Sequence, residues 1–118
     1  MPGVDQHLRK AKTIENVRHV IEAMVQDIVA RVQPEKLILF GSYATGTYND
    51  NSDVDLLIVK ETSLPVPKRV LEIRKILSKY DIPKDILYKT PQEFGRFKHI
   101  VNTLDYEIET KGVILYER

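Results

Sequence analysis

The sequence predicts an α/β (α+β) fold in which helices pack on a small mixed β-sheet of about four strands. Apolar runs of strand length alternate along the chain with segments whose apolar residues recur at helical spacing. Hydrophobic residues make up 42% and charged residues 30% of the chain, a balance that is typical of a packed core and excludes a disordered chain or a membrane protein. The length of 118 residues suits one domain, so we expect residues 1–118 to form a single domain.

The first half of the chain predicts one helix and two strands. Apolar residues recur at helical spacing from Thr13 to Val32, and Pro34 ends that helix. The apolar run Lys36 to Phe40 predicts a buried strand, and Asp53 to Lys60 predicts a second one. The link between these two strands is short and lacks an obvious crossover helix, so we expect the sheet to be mixed.

The second half predicts alternating helices and strands that are bounded by prolines and a glycine. Pro67 suits the first turn of a helix, and Gly112 suits a helix C-cap. The expected elements are a helix from Pro65 to about Lys79, a strand over Lys84–Lys89, a helical region from Pro91 that breaks near His99–Thr103, and a strand over Val113–Tyr116.

Composition also limits the partners and the location that we expect. The formal net charge is +1, so the chain has no strong overall field that would recruit nucleic acid. The absence of Cys removes disulfides and thiolate chemistry and fits a reducing cytoplasm. The longest apolar run has four residues, and residues 1–12, which we expect to be loosely held, do not form a signal peptide.

Two aspartates stand at the beginning of the second predicted strand. Because residues i and i+2 of a strand point to the same face, the carboxylates of Asp53 and Asp55 can lean together, with Cα atoms ~6.5–7 Å apart. Paired carboxylates can bind a pair of hard divalent cations such as Mg²⁺ or Mn²⁺. An Asp-x-Asp pair taken alone is also typical of a charged, solvated end of a strand.

A Gly-Ser pair precedes these aspartates by ten residues. Gly41 allows a sharp turn at the end of the first strand, and Ser42 offers a hydroxyl and a backbone N–H at the expected start of a short helix. Phosphate donors that face paired metal ligands are what nucleoside triphosphate chemistry requires. The combined pattern therefore favours a nucleotide site over a plain turn.

The stretch GSYATGTYNDNSDVDLLIV resembles the signature of the nucleotidyltransferase superfamily related to DNA polymerase beta. The chain is similar to the minimal nucleotidyltransferase branch in its length, its leading helix and its closing GVILYE. The resemblance extends from about Thr13 to Glu117 and implies the nucleotidyltransferase fold.

The resemblance also implies a third carboxylate on a neighbouring strand. Asp85 fits this position, and Asp81 is a rival that lies before Pro83, outside the predicted strand. In the family the third carboxylate completes the metal site and can take the proton of the attacking hydroxyl. The resemblance thus implies that Asp53, Asp55 and Asp85 hold two Mg²⁺ ions, with Mn²⁺ as an alternative, and that the Gly-Ser pair holds the triphosphate.

The implied reaction moves a nucleoside monophosphate, by preference AMP from ATP, to an acceptor hydroxyl. In similar minimal nucleotidyltransferases the companion is a small helical HEPN-family toxin, for which the nucleotidyltransferase serves as antitoxin. Two other interpretations stay open: an inactive module of the same fold that neutralises a partner by binding alone, and a free-standing transferase that acts on a small molecule or a nucleic-acid end. A homo-oligomer is also open.

Other candidates are weaker. The segment NDNSDVD does not fit an EF-hand loop, since the positions that require Gly and Glu hold Val54 and Lys60. The three histidines share no metal-binding spacing. Four cations are open candidates for phosphate contact, and two tyrosines of the signature either stack on a base or cover the site. The cations are Lys60, Arg69, Lys89 and Arg96, and the tyrosines are Tyr43 and Tyr48.

Overall fold

A computed structural model describes residues 14–118, so the expectation for residues 1–12 lies outside it. Within this range the chain forms five helices and four strands. The helices are α1 (Ile14–Val32), α2 (Ser42–Thr45), α3 (Val66–Ile76), α4 (Pro91–Phe97) and α5 (Leu104–Lys111). The strands are β1 (Lys36–Phe40), β2 (Val54–Val59), β3 (Lys84–Lys89) and β4 (Val113–Glu117). The predicted mixed α/β architecture is confirmed.

The sheet has the order β3-β2-β1-β4. Strand β1 is antiparallel to both β2 and β4, whereas β2 and β3 run parallel. The parallel pair is joined through α3, in keeping with the rule that parallel neighbours need a long crossover. The antiparallel pair β1–β2 is joined by α2 and a short loop, as the expected mixed sheet requires.

Helices cover both faces of the sheet. On one face, α1 and α3 pack against alternate residues of the strands, among them Leu37, Leu56 and Ile86. On the opposite face, Phe94 of α4 and Ile108 of α5 pack against the intervening strand residues, among them Ile38 and Leu57. This second face is called the α4/α5 face below. Of these two short helices, α4 contacts β3 and α5 contacts β1.

Several element boundaries differ from the sequence-based expectation. Strand β2 begins at Val54 rather than Asp53, and α3 ends at Ile76 rather than near Lys79. The helical region after Pro91 divides into two helices, as expected, and Thr103 caps the second by accepting a hydrogen bond from the backbone N–H of Tyr106. The cap of α4 is a reciprocal capping box formed by Thr90 and Glu93.

Gly112 is the C-cap of α5, but its backbone is extended rather than left-handed. A Cβ atom at this position would lie 2.4 Å from the carbonyl oxygen of Ile108 and 2.6 Å from a methyl group of Ile38. The glycine is therefore required by the close approach of α5 to β1 and not by an unusual φ angle.

Within the part of the chain that the structure describes, none of the helices combines the length and the apolar character that a membrane-spanning segment needs.

Candidate active site

The sheet register brings two of the three predicted carboxylates next to each other. Asp55, the second residue of β2, pairs with Asp85 of the parallel strand β3. On its other side Asp55 pairs with Phe40, the last residue of β1. Since paired residues of neighbouring strands point to the same face, both carboxylates lie on the α4/α5 face, at the end of the sheet where β2 and β3 begin.

Asp53 lies just before β2 and is exposed, as is Asp85, whereas Asp55 is half-buried. Burial raises the pKa of Asp55 to about 6, and the charges of Asp85 and Asp53 contribute to the increase. The three carboxylates are thus close enough to repel one another, and one of them favours its protonated form more than an ordinary aspartate does. Asp81, the rival candidate, is exposed and lies in the segment before β3.

Gly41 lies directly against the carboxylate of Asp55. Its φ angle of 73° is in the left-handed region, which favours glycine. A Cβ atom at this position would lie 2.1 Å from Oδ2 of Asp55, closer than any side chain could come without displacing the carboxylate. The structure therefore explains why glycine is needed at the end of β1: it turns the chain and leaves room for the acidic side chain.

Helix α2 begins at Ser42, immediately after this glycine. The backbone N–H groups of Ala44 and Thr45 both donate to the carbonyl oxygen of Gly41, at 3.1 and 3.2 Å. The N–H groups of the first residues of a helix find no acceptor inside the helix. Ser42, a half-buried residue, thus brings an N–H group and a hydroxyl to the end of β1, directly after the glycine that lies against Asp55.

The loop between α2 and β2 is held by its own side chains. The Asn49 N–H donates to Oγ of Ser52, and the Asn51 N–H donates to Oδ1 of Asn49, each at 2.8 Å. The rings of Tyr43 and Tyr48 stack on each other, with centroids 5.0 Å apart and an angle of 11° between the planes. The two tyrosines therefore stack on each other in this loop.

The hydroxyl of Tyr43 is buried and has no hydrogen-bond partner among the described residues. Its burial raises the pKa of Tyr43, and the neighbouring Tyr48, Asp50 and Asp53 raise it further. The phenol is therefore a poor proton donor to solvent and serves as packing against α1 and β1.

The donor set fits a hard divalent cation. Carboxylate oxygens without a competing thiolate are the ligands that Mg²⁺ and Mn²⁺ prefer, and the space that Gly41 leaves beside Asp55 keeps this carboxylate reachable. As the side chains stand, residues 14–118 contain no group of three or more His, Cys, Asp or Glu residues placed to hold a metal ion. Repulsion between like charges favours such a separation when no cation is between them.

Three of the four cations that were candidates for phosphate contact bind protein groups instead. Lys60 donates to the carbonyl oxygen of Val32. The guanidinium of Arg69 donates to the carbonyl oxygens of Leu64 and Tyr88 and to the carboxylate of Glu93. Lys89 donates to both carboxylate oxygens of Asp105, at 2.6 and 2.9 Å.

The ion pairs of Arg69 and Lys89 were not predicted from the sequence. Arg69 lies 24 residues from Glu93, and Lys89 lies 16 residues from Asp105, so no local pattern joins the partners. Of the four candidate cations, Arg96 in α4 is the one that is exposed, and it forms no ion pair with the described residues.

The fold and the carboxylate cluster at the end of a Gly-Ser turn define the class of protein, and comparison with known proteins identifies the family. Residues 21–109 match the model of the nucleotidyltransferase domain. The chain belongs to this family, which confirms the expected superfamily and the expectation of a nucleotidyltransferase enzyme.

Relatives and solved structures agree with this assignment. Two proteins of Methanocaldococcus jannaschii are each named "putative protein adenylyltransferase". One is 44% identical over 71 residues, which cover 58% of this chain and 70% of the relative. The other is 29% identical over 101 residues, which cover 85% and 94%. The crystal structure of a "putative nucleotidyltransferase" from Sulfolobus solfataricus has the same fold, with a TM-score of 0.62 at 21% identity over 85% of this chain and 79% of that chain.

Proposed function

We propose that this chain is a magnesium-dependent protein adenylyltransferase, which transfers AMP from ATP to a side-chain hydroxyl of an acceptor protein. One observation carries the proposal: Asp55 and Asp85 are paired on one face of the sheet, and Gly41 lies against the carboxylate of Asp55. The names of the two Methanocaldococcus relatives favour a protein as the acceptor.

In this proposal Asp53, Asp55 and Asp85 hold two Mg²⁺ ions, with Mn²⁺ as an alternative. When bound, the ions supply positive charge that offsets the charge of the triphosphate and makes the acceptor hydroxyl more acidic. The half-buried position of Asp55 suits a ligand whose charge is compensated only when a cation is present, since its raised pKa disfavours the ionised form otherwise.

The protein groups position the triphosphate and move one proton. The Ser42 hydroxyl and N–H, together with the turn at Gly41, hold phosphate oxygens beside the carboxylates. The acceptor oxygen attacks the α-phosphorus, a new P–O bond forms, and the bond between the α-phosphorus and the bridging oxygen of the β-phosphate breaks. Pyrophosphate leaves, and the hydroxyl proton passes to the exposed carboxylate of Asp85.

The proposal extends to the partner and the biological role. The sequence resemblance favours a small helical HEPN-family toxin as the acceptor protein, which makes this chain the antitoxin of a toxin–antitoxin pair. We place this reaction in the cytoplasm, in line with the absence of Cys.

A transfer assay tests the proposal and separates it from neutralisation by binding alone. The purified chain is mixed with ATP labelled at the α-phosphate, Mg²⁺ and a small helical HEPN-family protein. We expect label on the partner, and we expect Asp53→Asn to abolish it while Asp81→Asn, which changes the exposed rival carboxylate, leaves it intact. A stable complex without transfer would favour the inactive module, and transfer only to a small molecule or a nucleic-acid end would favour the free-standing transferase.

A further inference from the structure

A groove of about 290 Å³ lies between α3, the outer edge of β3 and α4. It is called the β3 groove below. Its walls are largely apolar and include Val66, Val70, Leu87 and Phe97. Val66 and Phe97 are 53% and 42% exposed, values that are high for large apolar side chains next to a core. An apolar groove of this kind is a site at which a partner can bury apolar surface.

The β3 groove begins on the strand that carries Asp85. Leu87 and Lys89 line the groove, and they lie two and four residues beyond Asp85 on the same face of the sheet. Because a strand rises about 3.3 Å per residue, the groove wall lies ~7–13 Å from the Asp85 backbone. An extended polypeptide that reached Asp85 with one side chain would therefore place a residue two to four positions away in the groove.

The charges around the groove favour an acidic partner. Two of the charged residues in the groove wall are neutralised within the protein, since Glu93 pairs with Arg69 and Lys89 pairs with Asp105. Arg96 also lines the groove and forms no ion pair with any residue of the range 14–118. The groove thus presents one uncompensated positive charge beside an apolar surface, which complements a carboxylate next to an apolar side chain.

We propose that the β3 groove binds the acceptor segment of the protein substrate and thereby selects the hydroxyl that is modified. The segment is extended, carries an apolar side chain two to four residues from the acceptor hydroxyl, and carries an acidic residue that pairs with Arg96. This inference rests on the proposed protein adenylyltransferase function and adds the chemistry of the substrate that the enzyme recognises.

Fluorescein-labelled peptides test the inference without requiring turnover. The first peptide has one tyrosine, an isoleucine three residues away and a glutamate beside the isoleucine, and a second peptide has serine in place of the isoleucine. Binding to the full chain is measured by fluorescence anisotropy, and transfer is measured with labelled ATP and Mg²⁺. We expect the isoleucine peptide to bind about tenfold more tightly than the serine peptide.

Two matched variants locate the binding surface. Val66→Lys places a charge in the groove, whereas Leu71→Lys changes a residue of the same helix that is 51% exposed and does not line the groove. We expect Val66→Lys to raise the Kd and the KM of the isoleucine peptide about tenfold with little change in kcat, and Leu71→Lys to change neither. Equal effects of the two variants, or equal binding of the two peptides, would overturn the inference.

Charge reversal tests the contact with Arg96. Arg96→Glu is expected to weaken the peptide that carries glutamate and to strengthen a peptide with lysine in its place, whereas Lys75→Glu, an exposed change on α3, is expected to do neither. Failure of the lysine peptide to regain affinity would contradict the proposed ion pair.

The remaining outcomes distinguish this inference from the proposed function. If the groove variants do not change the binding of the peptides or the transfer to them, the inference is overturned and the proposed function is left in place. Peptide binding in the groove without any transfer overturns the function. A change in the affinity for ATP caused by Val66→Lys would assign the groove to the nucleotide, and a dimer that this variant dissociates would assign it to a second copy of the chain; either result overturns the inference.

Discussion

The two ends of β3 carry charged residues on the same face of the sheet, but the charges are neutralised at only one of the two ends. Asp85, near its beginning, pairs in register with Asp55, so acidic groups lie beside one another. Lys89, at its end, binds Asp105, and Asp105 is 3% exposed. A buried carboxylate is thus neutralised at one end of the strand, while at the other end the carboxylates repel one another.

The difference separates charges that stabilise the fold from charges that serve chemistry. Asp105 is buried, is bound by an ammonium group through both oxygens and lies in the first turn of α5, where the helix dipole also favours an anion. Asp55 has none of these compensations, and its pKa is raised. Strained or repulsive arrangements of this kind are typical of functional sites, because a ligand supplies the missing charge.

The largest expected effect comes from Asp55→Asn. We expect adenylyl transfer to fall by about 10³-fold, because a proposed metal ligand is lost. The metal-free variant should nevertheless be at least as stable as the wild type, since a half-buried, repelled carboxylate is replaced by a neutral group of similar shape.

Thermal unfolding with and without Mg²⁺ checks this expectation. Mg²⁺ should raise the Tm of the wild type and of Asp81→Asn but not that of Asp55→Asn. A wild type whose Tm is insensitive to Mg²⁺ and Mn²⁺ would argue against the metal site.

Asp105→Asn should have the opposite effects, a loss of stability and unchanged transfer activity. Loss of the buried anion leaves the ammonium group of Lys89 without its counter-charge, and the side chain of Lys89 is partly exposed, so we expect a loss of about 2 kcal/mol in the free energy of unfolding. The folded variant should keep its transfer activity because Asp105 lies at the end of β3 away from Asp85. Urea unfolding gives the stability, and an activity loss without destabilisation would refute the assignment of a structural role.

The next effect in size separates two glycines with positive φ angles. Gly41 has φ 73° and ψ −155°, whereas Gly46 is left-handed with φ 82° and ψ 9°. Alanine is therefore strained at both positions and should cost about 1–3 kcal/mol of stability, with the larger cost at position 41. Only at position 41 does the new Cβ collide with Asp55, whereas no heavy atom lies within 4 Å at position 46.

Transfer rates of the two alanine variants check this comparison. We expect Gly41→Ala to lower kcat about 10²-fold by displacing the carboxylate, and Gly46→Ala to leave kcat of the folded protein unchanged. Similar rates for the two variants would show that the contact with Asp55 has no catalytic consequence.

Local patterns were enough to predict most of the elements. The bounds of β1 and β3 agree with the prediction because each is an apolar run that begins and ends next to a proline, glycine or charged residue. The end of α3 was placed too far along the chain, since residues 77–79 continue the helical composition but form a turn. The nucleotidyltransferase family was also identified from a contiguous stretch of sequence.

Long-range contacts could not be predicted. The strand order β3-β2-β1-β4 depends on which apolar faces pack together, and nothing in a single strand specifies its neighbours. From the sequence, four cations were equal candidates for phosphate contact, because a single sequence does not show which of them bind protein groups. These cations are Lys60, Arg69, Lys89 and Arg96. The roles assigned to Gly41, Ser42 and the three aspartates stay predictions, which the variants above address.

The smallest expected effect concerns the ion pair of Glu93 and Arg69 in the wall of the β3 groove, in which the Arg69 side chain is buried and the Glu93 side chain is exposed. The hydrogen bond from Arg69, followed by that from Thr90, lowers the pKa of Glu93 below its ordinary value of 4.5. A carboxylate whose pKa is lowered by folding stabilises the protein above its ordinary pKa, and this contribution is lost as the pH falls through the lowered value.

Because the Glu93 side chain is 40% exposed, we expect Glu93→Gln to cost about 1 kcal/mol or less at pH 7. The difference from the wild type should shrink below pH 4.5, and urea unfolding at a series of pH values measures it. Glu72→Gln, which changes an exposed residue of α3, serves as the control. A difference between wild type and Glu93→Gln that stays constant down to pH 2 would show that Glu93 acts through neutral packing and not through its charge.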